Sequence, residues 1–61
     1  MEVWSRKEIL VLLYEKERSL GMLYSLRKQY LQSEDKEMKY LIEKNISLDE
    51  SEVKCLRMAL S

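Results

Sequence analysis

Ser5-Arg6-Lys7-Glu8, followed at once by Ile9-Leu10-Val11-Leu12-Leu13-Tyr14, is the stretch whose reading decides the fold. The first four residues fit a capping box. The Ser5 hydroxyl can accept from the Glu8 backbone N–H, and the Glu8 carboxylate can reach back to the Ser5 N–H. The six apolar residues are far too few to span a bilayer. Arg6 and Lys7 before them resemble the start of a secretory signal, but Glu15-Lys16-Glu17-Arg18 follows directly and no small-residue cleavage site appears. The run reads as buried core, with a cytoplasmic location and no membrane partner expected. A single cysteine, Cys55, is consistent with that location.

Downstream of the cap the apolar residues keep helical spacing. At 100° per residue, Ile9, Leu12, Leu13, Leu20, Leu23, Tyr24, Tyr30 and Leu31 share one sector about 120° wide. A second, weaker apolar side carries Trp4, Val11, Met22 and Leu26. Lys16 and Arg27 project near the centre of the main stripe, eleven residues apart. Their stems can lie along an interface with the charges at its edge. Alternatively they can form an interfacial ion pair, with Glu34, Glu37 or a partner carboxylate, that fixes register. Either way a strict leucine-zipper heptad is interrupted there. Gly21 falls inside this helix, either merely tolerated or allowing close approach of another backbone.

The polar stretch Gln32-Ser33-Glu34-Asp35-Lys36-Glu37 permits a turn, with Ser33 capping a second helix, or a solvated part of one unbroken helix. Met38, Leu41 and Ile42 return to the sector of the first stripe. Asn45 suits a helix C-terminus. Asp49 with Glu52 forms an acidic capping box, flanked by Leu48 and Val53 at staple positions. A last helix over 50–60 is expected, with Val53, Leu56, Ala59 and Leu60 on its apolar face. Glu50 and Lys54 are spaced to pair on its outside.

Composition agrees with an all-α fold, since the 61 residues include no proline and one glycine. The chain forms one domain over 1–61, with helices expected at about 5–31, 34–45 and 50–60. A turn near Ser33 gives two legs of equal length, the return leg being jointed near Ile46–Asp49. Residues 1–31 carry six basic and four acidic side chains; residues 32–61 carry five and seven. Matched legs of opposite charge suit an antiparallel helical hairpin. Two helices cannot enclose so wide a stripe, so hairpins are expected to pair into a dimeric four-helix-type bundle. The alternative is a single helix of about 40 residues with a short C-terminal helix folded against it. A chain this short usually needs disulfides, a metal or a partner subunit. One cysteine and no histidine leave the partner.

Little in the sequence carries chemistry. It contains no histidine, no glycine-rich phosphate loop and no nucleophile elbow. The carboxylates alternate with lysines at helix-surface spacing, as on a solvated face. Cys55 has neither base nor second cysteine nearby in sequence and reads as a partly buried small apolar residue. The chain is therefore expected not to be an enzyme, with no catalytic residues, cofactor or metal. Zero net charge argues against holding nucleic acid through phosphates. Arg6, Lys7, Lys16, Arg18, Arg27 and Lys28 are too spread around the helix to track a backbone.

Association with protein is what remains. The leading expectation is a small regulator, adaptor or inhibitor that binds a larger protein through helical surfaces. The alternatives are a self-assembling bundle or complex subunit and, third, a nucleic-acid-binding regulator. The expected core or dimer interface comprises Ile9, Leu12, Leu13, Leu20, Leu23, Tyr24, Tyr30, Leu31, Met38, Leu41, Ile42, Val53, Leu56 and Leu60. Trp4, Val11, Met22 and Leu26 form the expected partner face, unless they complete the dimer core.

Overall fold

The capping box forms as the sequence implies. Glu8 N–H donates to Ser5 Oγ at 3.1 Å and Ser5 N–H to Glu8 Oε1 at 3.5 Å. From this start α1 runs over Arg6–Gln29. Arg27 and Lys28 in its last turn suit the negative end of the helix dipole. The computed structural model describes residues 4–61, and among them there is no strand. A short turn leads into α2, Lys36–Leu60. Ser33 N–H donates to Tyr30 O at 3.1 Å, and Ser33 Oγ accepts from Asp35 N–H at 3.0 Å. Asp35, not Ser33, caps α2, its carboxylate accepting from Met38 N–H at 3.0 Å. The molecule is an antiparallel helical hairpin with extents of 45 × 19 × 16 Å.

Burial follows a seven-residue rhythm on both legs. In α1 and its C-cap, Ile9, Leu12, Lys16, Ser19, Leu23, Leu26 and Tyr30 are withdrawn from solvent at alternating steps of three and four. Lys39, Ile42, Ile46, Asp49, Val53, Leu56 and Leu60 repeat the pattern in α2. Steps of three and four are the signature of a coiled-coil seam. Leu13, Leu20 and Met38 flank it. Leu20, Ile42, Ile46 and Val53 are buried together, and Leu13, Leu23, Leu26, Tyr30 and Met38 pack against them.

This rhythm corrects several expectations. The return leg is one unbroken helix, without the joint at Ile46–Asp49 and without separate helices over 34–45 and 50–60. Ile46, placed in the expected break, is among the most buried residues at 3% exposure. Keeping Ile46 and Val53 on one seam requires a continuous helix, and that burial overrides weak formers such as Asn45, Ser47 and Asp49. Asn45 tucks its side chain back onto Leu41 O at 2.7 Å. The single 40-residue helix is excluded by the turn between Gln29 and Lys36.

Leu26 leaves the expected partner face and joins the seam. A straight helix drifts about 20° per heptad from the seam of a supercoiled pair, or roughly 50° between Ile9 and Leu26. That rotation brings Leu26 inward and carries Arg27 outward. Tyr24, Leu31 and Leu41, expected in the core or a dimer interface, are exposed in the hairpin, Leu31 because it lies beyond the end of α1. Ala59 is exposed as well.

Gly21 sits on the outer side of α1, and a Cβ there would meet nothing within 4 Å. It serves no close backbone approach within the hairpin. Gly21→Ala is expected to stabilise the fold by about 0.5–1 kcal/mol, read from urea unfolding. Ile46→Ala is expected to cost about 2–5 kcal/mol in the same assay. Leu20→Asp, which places an unpaired charge among the buried residues, is expected to abolish the helical circular dichroism signal.

Candidate interaction face

The middle of the seam is polar. Lys16 Nζ lies 3.8 Å from Asp49 Oδ1 and 2.9 Å from Glu52 Oε2. Ser19 Oγ donates to Asp49 Oδ2 at 2.8 Å. Asp49 thus ties the two legs together instead of capping a last helix. The interfacial ion pair anticipated for Lys16 exists, with partners on α2 rather than Glu34 or Glu37. The heptad continues through Lys16 as a polar layer. Arg27 behaves differently: it reaches Glu43 at 3.4 Å from the edge of the seam and stacks over Tyr24, 5.2 Å from the ring centroid.

The seam divides the hairpin into two long lips, and their chemistry differs. One lip is laced by cross-helix polar contacts. Arg6 donates to Leu60 O at 3.0 Å, Arg57 pairs with Glu17, Tyr24 Oη donates to Glu50 at 2.6 Å, and Arg27 meets Glu43. Glu43, Glu50 and Arg57 stand seven residues apart on that edge of α2. Glu50 takes Tyr24 as its partner there, not Lys54.

The opposite lip holds the Lys16–Glu52 pair and a set of exposed apolar residues. Leu41, Leu48 and Cys55 line α2 at seven-residue spacing. Leu41 is 42% exposed, Leu48 is 52% exposed, and the Cys55 thiol is free and exposed. The same lip carries Trp4 just before α1 and Val11 and Met22 on it, all more than half exposed. At the open end of the hairpin the two helices share a continuous surface. One shallow groove is lined by Trp4, Val11 and Leu12 with Lys7, Glu8 and Glu15, the next by Leu12, Cys55 and Leu56 with Lys16, Ser51 and Glu52.

Three of the four residues expected on a partner face are therefore together on this lip, and Leu26 is not. The α2 half of the lip was missed in the sequence. From the sequence Leu41 reads as core or dimer interface, Leu48 as a staple and Cys55 as partly buried. Their common spacing of seven was the signal, masked by the supposed joint between them. The remaining exposed large apolar residues, including Leu10, Tyr14, Tyr40 and Met58, are scattered over other sides.

Among the described residues no cluster of side chains could hold a metal ion, and no helix is long and apolar enough to cross a membrane. Comparison with protein-family models, with curated proteins and with solved structures finds no match.

The polar contacts give the fold an alkaline limit. The hydrogen bond to Glu52, with the nearby Glu52 and Asp49 charges, raises the Lys16 pKa above its usual 10.5 despite opposing desolvation. The Tyr24 pKa is raised above 10.0, first by its hydrogen bond to Glu50. In both cases the folded state holds its proton more tightly than the unfolded chain. The stabilisation is complete below the unfolded pKa and lost as pH rises through the folded one. Melting temperature is therefore expected to fall as pH rises above about 10. Lys16→Met is expected to flatten part of that fall; an unchanged profile would mean that Lys16 is uncoupled from folding.

Proposed function

We propose that this chain is a non-enzymatic association module, a small regulator, adaptor or inhibitor that binds a larger protein through its helical surface. The observation carrying this reading is the uncovered apolar lip formed by Trp4, Val11 and Met22 with Leu41, Leu48 and Cys55. Large exposed apolar residues gathered on one side of a small monomer mark interaction surfaces. Tryptophan is enriched among residues that dominate binding energy, and methionine adapts to irregular partners. The neighbouring polar lip bounds the face with side chains already committed to one another. That commitment speaks against the nucleic-acid reading, since Arg6, Lys16 and Arg27 are engaged within the hairpin.

Affinity capture with the tagged chain tests the proposal. A protein retained by the wild type is expected to bind at least about 10-fold more weakly to Trp4→Ala, whose helicity should be unchanged. The single tryptophan also reports directly: its emission should shift to the blue when the retained protein is added. Equal retention by wild type, Trp4→Ala and Leu48→Glu would remove this lip from consideration.

A further inference from the structure

We infer that the apolar lip is covered by a second copy of this chain, two hairpins stacking face to face as a twofold four-helix bundle. The inference rests on the reading of the lip as an association surface; a second copy takes that surface, and a larger protein meets the paired hairpins. Area is the first argument. The chain exposes 5334 Å², whereas a compact folded monomer of its 7.4 kDa mass exposes about 4,200 Å². The excess of roughly 1,100 Å², counted over the whole elongated chain, is enough to supply the ~800 Å² that each partner gives to a standard stable interface. Among the described residues Leu20, Ile42, Ile46 and Val53 are buried, while the rest of the seam stays partly exposed in the isolated hairpin.

Charge is the second argument. Charges of both signs stand in the grooves of this lip, Lys7, Glu8 and Glu15 on α1 and Lys16 with Glu52 across the seam, so it presents neither a purely acidic nor a purely basic surface. The whole chain has zero net charge, so two copies approach without long-range repulsion. Shape agrees: both helices contribute to the lip, and a flat surface two helices wide is closed by another of the same kind. Under a twofold axis each copy offers Leu48 and Met22 to the other and shields Cys55.

Light scattering after size exclusion, with circular dichroism, tests this on the full chain from low-micromolar to submillimolar concentration. The expected species has twice the chain mass. Leu48→Glu should convert it to a helical monomer, while Leu10→Glu, away from this lip, should leave it dimeric. The unmodified chain gives an independent readout: alkylation of Cys55 should slow several-fold as concentration rises. A monomer at every concentration, with a constant Cys55 rate, would overturn the second copy and leave the lip to a different protein. A Leu48→Glu variant that stays as dimeric as the wild type, with Cys55 reacting at a constant rate, would overturn the lip itself, and the association reading of that face with it.

Discussion

Everything in this molecule depends on a repeat of seven residues kept in phase along both legs of the hairpin. An α-helix has 3.6 residues per turn, and two helices stay in contact over six turns only by winding around each other at 3.5. Ile9 to Tyr30 on one leg and Lys39 to Leu60 on the other keep that repeat without a skip. The helix bounds, the continuity of α2 and the division of the surface into two unlike lips follow from it.

The polar residues gain their roles from where the repeat puts them. Asp49 lies on the seam and faces Lys16 and Ser19, whereas Glu50 and Glu52 fall on opposite lips and take Tyr24 and Lys16. Three neighbouring acids in one stretch of sequence thus do three different things. Among the exposed pairs, such as Arg27 with Glu43, the contribution to stability is small, because water screens them. Their arrangement matters more: it leaves one side of the hairpin polar and the other free to meet apolar surface.

Much of the fold was legible in the sequence. The Ser5 cap, the first stripe, the turn after Gln29 and the antiparallel pairing could be read from local chemistry and balanced leg lengths. The joint at Ile46–Asp49 was read wrongly because the residues at and beside it carry strong local signals for a helix end. Those signals are worth about 1 kcal/mol each, less than keeping Ile46 and Val53 buried together. Leu26 and Arg27 exchanged places because an ideal wheel takes no account of supercoiling. The α1 half of the candidate face was visible as a second apolar side, while its α2 half stayed hidden behind the supposed joint.

The polar layer has a consequence for motion. Slipping one helix along the other by a heptad would restore apolar contact at most levels. It would also move Asp49 from Lys16 to the level of Ile9 or Leu23, leaving a carboxylate against hydrocarbon. Desolvating that charge without a partner costs several kcal/mol. The layer therefore works as a pawl: the ends of the hairpin can fray, but the two rods cannot slide.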